Sequence, residues 1–464
     1  MSDSVTPPSD AYSEFVPTES EPFSVRHVGH LYRRMAFGAT PEDLDRFVGK
    51  SPAETVDQLL GYDPDDDPLD AQLQQIIGLI SLNRIENVQD WWFFRMMNSP
   101  RPAQERVALF WHNHFATSAG KVDQPILMHN QIELFRKRGL GSFRELLVAV
   151  TRDPAMLIWL DGRYNRKGKP NENYGREVME LFTLGIGNYT ENDVKQLARA
   201  FTGWSLKGTE ASFDPKQFDD GSKEIFGQHG TFNDEQAVGL LLTQPAAPRF
   251  IARSLLKEFV HPHPTEEQVN HYAGLVVAHD WEIKPVLQEM LTSRLFYSEW
   301  AYRAKIKSPV DIVIGGAKGL PGAKPTTSFL RDATAKMGQN LLYPPTVKGW
   351  DGEESWINAN TVLLRFNFGL ALAEQRGQDF AARADLDAWL KKHDLKSADD
   401  IINHFTRLYL DGRISGEANA KLQQYVANDP SKKPKPFELT PISVSTKIRG
   451  ILHLIMSMPE FQLA

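Results

Sequence analysis

Apolar residues recur at spacings of three and four through most of residues 25–457, and alternation of period two is rare. That periodicity gathers apolar side chains on one face of a helix and withholds the alternating faces a sheet requires. It predicts an all-α fold, a large multi-helix array with irregular loops. Val25, Val28, Leu31, Tyr32 and Met35 mark the first helix. Thr40-Pro41-Glu42-Asp43 reads as an N-cap, a first-turn proline and dipole-matched acids for the second. A long helical stretch is expected over 70–98, and shorter ones follow near 102–115, 125–138, 173–185, 191–203, 247–260 and 265–278. The exception is 211–232, where Phe213, Phe218, Ile225 and Phe232 lie among Asp, Gly, Ser and Lys and suggest one small β-hairpin or an ordered loop.

Composition shifts divide the chain. Residues 1–22 are rich in Ser, Pro, Glu and Asp and read as a disordered tail. Residues 23–310 form the main helical domain with the polar motifs, and 311–464 a C-terminal helical part packed on it. Asp63 to Pro68 reads as an acidic linker, and Asn428 to Pro436 as a lysine- and proline-rich loop.

Several function classes drop out. With 52 basic against 59 acidic residues the net charge is −7, which argues against a general nucleic-acid partner. There is no cysteine, so disulfides, thiolate metal sites and cysteine nucleophiles are excluded. No apolar run approaches the ~20 residues of a membrane span. The first residues lack a basic start followed by an apolar stretch, so the cytoplasm is the expected location. The Arg33-Arg34 pair precedes no hydrophobic segment and reads as structural. Neither G-x-G-x-x-G nor G-x4-G-K-[ST] occurs.

Candidate chemistry falls in three places. The first is Phe110-Trp111-His112-Asn113-His114-Phe115. Val107, Phe110, Trp111, His114 and Phe115 form an apolar stripe, which turns His114 inward, while His112 diverges from it on an ideal helix. Either His114 is a hydrogen-bonded core histidine beside a surface one, or it lines a pocket with His112 as acid, base or ligand.

The second runs from Asn171 to Gly185. On an ideal wheel Glu177 and Glu180 lie about 60° apart on a face shared with Leu181 and Leu184. Carboxylates among leucines need a cation, a metal ion or each other. A pair sharing a proton raises one pKa and supplies a general acid. The alternative is a structural network of Glu177 and Glu180 with arginines or helix ends.

The third is Tyr343 to Gly352 with Ser355-Trp356-Ile357-Asn358, where Trp350 and Trp356, with Trp204, offer flat faces for a sugar ring or else pin the loop to the core. The polar loop Trp159 to Pro170 adds Asp161 and Asn165, suited to oxygen-bearing ligands or to a solvated turn. His229 and His261-Pro262-His263 are weaker candidates.

The segments RMAFGAT (34–40), FWHNHFAT (110–117), DPAMLIWLD (153–161), NRKGKPNENYGREVMELFTLGIG (165–187), AFTGW (200–204) and PPTVKGW (344–350) together resemble the bacterial family called domain of unknown function 1800, across roughly residues 25–370 and, by expectation, on to the end. The resemblance implies that His112, His114, Asp161, Asn165, Asn171, Glu172, Asn173, Arg176, Glu177, Glu180 and Lys348 occupy the family's characteristic polar positions. It brings no reaction. Many relatives carry an export signal, of which residues 1–22 show no recognisable pattern, so the expectation stays with the cytoplasm; they also often accompany a second family of sulfatase-like resemblance, which implies a protein partner.

The combined expectation is a hydrolase- or lyase-type enzyme acting on a glycan or other oxygen-rich small-molecule substrate. Glu177 or Glu180 would serve as acid/base with His114 assisting. Asp161, Asn165, Asn173, Arg176, Lys348 and Trp350 would bind substrate. A divalent metal ion on His112, His114 and Glu177 is one option the pattern leaves open. His114 and Glu177 are expected in one buried polar centre. The alternative is a non-catalytic helical binding or scaffold protein whose buried polar network is structural.

Overall fold

The computed structural model of the chain describes residues 8–77, 81–320, 322–375, 377–427, 440 and 444–464. Helices make up 59% of the structure, and the strands among the described residues are confined to three two-stranded antiparallel ribbons. The fold is all-α, as the periodicity predicts. Local chemistry starts the helices where expected. Thr40 Oγ1 accepts the Asp43 N–H at 3.2 Å, and the Asp43 carboxylate accepts the Thr40 N–H at 2.8 Å. The same reciprocal cap opens the helices Glu191–Ala200, Glu266–Ala278 and Pro309–Lys318.

Three expectations change. The stretch 70–98 is two helices, Asp70–Ile77 and Ile85–Asn98, separated in part by a turn where Ser81 Oγ takes the Asn83 N–H. The 211–232 region holds two ribbons, Trp204–Lys207 with Glu210–Phe213 and Lys223–Ile225 with Gln228–Gly230. The described part of the expected tail is docked. Ala11 and Phe15 are buried, the Phe15 N–H donates to Thr292 C=O at 2.8 Å, and Phe15 packs on Tyr297. Apolar anchors in a polar run are enough to fix it. The Asn428 to Pro436 loop lies outside the described residues.

One buried apolar cluster runs from Ala11 to Phe461, so residues before and after 310 share a core. Polar ties reinforce it. Arg33 pairs with Asp411 at 2.7 Å, and Arg34 donates to Ala301 C=O at 2.9 Å, a structural use of both arginines. The expected linker at 63–68 supplies buried Asp67, which takes Arg95 at 2.8 Å and Arg136 at 2.6 Å. Arg136 also meets Glu105 at 2.8 Å, and Trp92 Nε1 donates to Glu105 at 3.1 Å. No helix among the described residues is long and apolar enough to cross a membrane.

Lys307 is buried with its Nζ 4.1 Å from the Phe461 ring centroid. Burial pushes its pKa down to about 7 from 10.5. Between those values the unfolded chain binds the extra proton, so stability gains a rising term as pH goes from about 7 to about 10.5. Lys307→Met is expected to remove that term. Urea melts at pH 7 and pH 9.5 should show a smaller alkaline gain in the variant than in the wild type, and equal gains would refute the assignment.

Candidate functional site

The helix Pro102–His114 stops at His114, and its last three residues each reach a different backbone segment. His112 is fully buried; its Nε2 accepts the Leu342 N–H at 3.1 Å, so Nδ1 carries the proton. Burial pushes its pKa down to about 3, and the ring stays neutral. It is therefore a core histidine, not a surface one. Asn113 Oδ1 accepts the Trp350 N–H at 2.8 Å. His114 Nε2 donates to Phe182 C=O at 3.0 Å, since a carbonyl can only accept. Burial pushes the His114 pKa down to about 4. Its neutral ring thus has an unprotonated Nδ1, and His114 lines a cleft of about 680 Å³.

That cleft lies between the His114 end of this helix, the segment around Glu180, the helix Ala246–Phe259 and the loop that carries Lys348 to Trp356. The Glu180 wall departs from an ideal helix. The helix Glu172–Glu177 passes into a π turn, Val178–Thr183, in which the Leu184 N–H bonds Met179 C=O at 2.9 Å, five residues back. Val178, Met179, Phe182 and Thr183 fill the core side, which leaves Glu177 and Glu180 half-buried on the other. Phe182 C=O is an end-of-helix acceptor without a helical partner, and His114 satisfies it.

Of the two carboxylates, Glu180 lines the cleft with His114 and accepts the Tyr189 hydroxyl at 2.8 Å. Glu177 is not among the lining residues, and among the described residues it has no hydrogen bond or ion pair. Its own burial and then the Glu180 charge raise its pKa, with Arg176 opposing. A carboxyl whose folded pKa is raised loses stability as pH climbs through the window above its unfolded value. Glu177→Gln is therefore expected to melt at or above wild type at pH 7 and to lose this advantage toward pH 4. A variant that melts well below wild type at pH 7 would reveal a buried cationic partner instead.

The remaining candidates separate. Lys348 and Trp350 line the cleft, and Lys348 Nζ meets Asp351 at 2.5 Å. Asp161, Asn165, Asn173 and Arg176 do not line it. Asp161 pairs with Lys121 at 2.9 Å and takes Asn173 Nδ2 at 3.4 Å. Asn165 donates to Ala198 C=O at 2.8 Å and accepts the Asn171 N–H at 2.9 Å. Arg176 pairs with Glu191 at 2.8 Å. These four fix the polar loop and the helix after it. Trp204 donates to Asp234 at 3.0 Å, also away from the cleft. His263 lines the cleft, His261 stacks on Trp300, and His229 is exposed on a ribbon. His112, His114 and Glu177 form no metal-ligand set: no three His, Asp or Glu among the described residues are grouped to hold a metal ion. Each histidine uses its Nε2 on a backbone group of a different segment, Leu342 for His112 and Phe182 for His114.

The sequence does not single out the charged groups on one side of the cleft. Arg106, buried, meets Asp311 at 2.5 Å and Glu258 at 3.1 Å. Lys305 meets Glu353 at 3.1 Å, and the other Glu353 oxygen accepts the Ile306 N–H at 2.9 Å. Glu353 adopts a left-handed backbone, φ +48°, uncommon outside glycine, Asn and Asp. The signal available was two acids after Gly352 in an aromatic loop; Glu258 and Lys305 lie far apart in sequence and give none. The lining thus mixes both signs of charge with the apolar surfaces of Phe250, Trp350 and Trp356.

A family model described as protein of unknown function (DUF1800) matches residues 30–463. No curated protein and no solved structure matches the chain.

Proposed function

The chain belongs to that DUF1800 family, whose description names no activity, and on this premise we propose that it is a hydrolase- or lyase-type enzyme acting on an oxygen-rich substrate such as a glycan within the cleft. The observation that carries the reading is Glu180: a half-buried carboxylate on the cleft wall, oriented by the Tyr189 hydroxyl and sharing the cleft with the tryptophan loop. Proton transfer is assigned to Glu180. His114 takes a different part from the one its sequence suggests. With a pKa pushed down to about 4, it is a weak base near neutrality, so its Nδ1 accepts a hydrogen bond from a substrate hydroxyl or an attacking water. Trp350 and Trp356 supply apolar faces for sugar rings.

A second reading, a non-catalytic binding or scaffold protein, is favoured by the structural use of Asp161, Asn165 and Asn173 and by the buried ion network around Arg136. One experiment separates the two. Neutral and acidic polysaccharides are incubated with the protein, and new reducing ends and unsaturated products are measured beside Glu180→Gln. Turnover by the wild type that the variant lacks supports the enzyme. Saturable binding without turnover supports the second reading.

A further inference from the structure

The ligand-facing wall built from residues 343–356 has almost no regular structure, only the short turn Glu353–Trp356. Its backbone includes left-handed residues at Gly349, φ +85°, Gly352, φ +80°, and Glu353, φ +48°. Such a loop needs external ties to hold one conformation. The ends have them. His112 takes the Leu342 N–H just before the loop, and Glu353 takes the Ile306 N–H near its end. The middle carries Lys348 and Trp350 into the cleft.

There the tie is Asn113. Its Oδ1 accepts the Trp350 N–H at 2.8 Å, and its Nδ2 donates to Trp350 C=O at 3.4 Å. One carboxamide thus meets both backbone polar groups of a single residue, as a neighbouring strand would. Among the described residues no other group hydrogen-bonds the Trp350 backbone. Gly349 lies against the same amide: a Cβ there would sit 2.3 Å from Asn113 Oδ1 and 2.5 Å from the Asn113 carbonyl oxygen. The loop has been brought to the closest approach that a glycine permits.

We infer that Asn113 is the positioning residue of this wall: its carboxamide fixes the Trp350 backbone and so sets how Lys348 and Trp350 are presented to a ligand. The presentation to a ligand rests on the proposed use of the cleft; the tether itself does not.

Hydrogen exchange with site resolution over 343–356 tests it in the full chain, with Asn113→Ala and Asn113→Asp. Alanine removes both bonds. Aspartate keeps the acceptor for the Trp350 N–H and loses the donor. The Trp350 amide is expected to exchange roughly tenfold faster in the alanine variant, about what one lost hydrogen bond allows, and clearly slower than that in the aspartate variant. Exchange in the helix Ala246–Phe259 should be unchanged in both. Wild-type protection of Trp350 in the alanine variant overturns the inference. So does an aspartate variant as unprotected as alanine, since a structural role without the acceptor bond gives that result. If the alanine variant does not fold, the aspartate variant decides alone, with protection near wild type supporting the tether and its loss refuting it. Where a polysaccharide is turned over, the alanine variant should raise KM with kcat largely kept. Lost Trp350 protection in a protein that binds none of the polysaccharides leaves the tether standing and removes the reading of the cleft.

Discussion

Arg136→Met is expected to unfold the protein at a much lower urea concentration, with a loss of about 3–5 kcal/mol, because it leaves Glu105 buried without its main cation. That is a large part of a typical total of about 5–15 kcal/mol. Arg136 is 1% exposed and Glu105 0% in their side chains, so water cannot replace the partner. Methionine fills much of the arginine's volume, which keeps the packing loss small. Asp67 retains Arg95 and Glu105 retains Trp92 Nε1, so the network weakens without emptying. Burial already raises the Glu105 pKa against the pull of Arg136. Without that pull the carboxyl takes up a proton more readily, and its contribution is lost as pH rises through its folded pKa. The deficit should therefore be smaller at pH 5 than at pH 8. A paired change, Glu105→Gln with Arg136→Met, should recover part of the loss. A single variant that loses less than about 1 kcal/mol would show that the pair contributes no more than an exposed one.

Glu180→Gln should spare stability and strike turnover. Gln keeps an acceptor for the Tyr189 hydroxyl, so stability should stay within about 0.5 kcal/mol, as for most changes at partly exposed positions. Turnover should fall by roughly 10²–10⁴, the usual contribution of a positioned acid or base. Full activity in the variant would remove Glu180 from the chemistry. A large drop in melting temperature with no change in ligand affinity would assign it to the fold.

The helices were legible because caps and three/four spacing are local properties: Thr40 to Asp43 and the helix Pro125–Arg138 fall where the pattern puts them. The docked segment around Phe15 was not, since nothing nearby in sequence announces Thr292 or Tyr297. Of the residues that line the cleft, Glu180, His114, Lys348 and Trp350 stand out in the sequence by residue type within apolar or irregular surroundings. Glu177 was set apart from the cleft while its neighbour three residues on was not. A wheel drawn at a constant angle cannot follow the backbone through the π turn Val178–Thr183, whose bonds close over five residues. Asp161, Asn165 and Asn173 look like ligand-binding side chains because a carboxylate or carboxamide that holds a loop and one that holds a sugar use the same atoms; only their partners distinguish them.

His112, Asn113 and His114 hold the two walls of the cleft through Leu342 N–H, the Trp350 peptide groups and Phe182 C=O. Carbonyls belong to every residue type and amide N–H groups to every type but proline, so apart from Gly349 this frame makes little demand on which side chains the walls carry. The residues that would select a ligand can drift without loosening what positions them. Two chains built on this frame are thus free to diverge in what they bind while their folds stay superimposable, and a ligand established for one would be a poor guide to the other unless the wall residues were compared one by one.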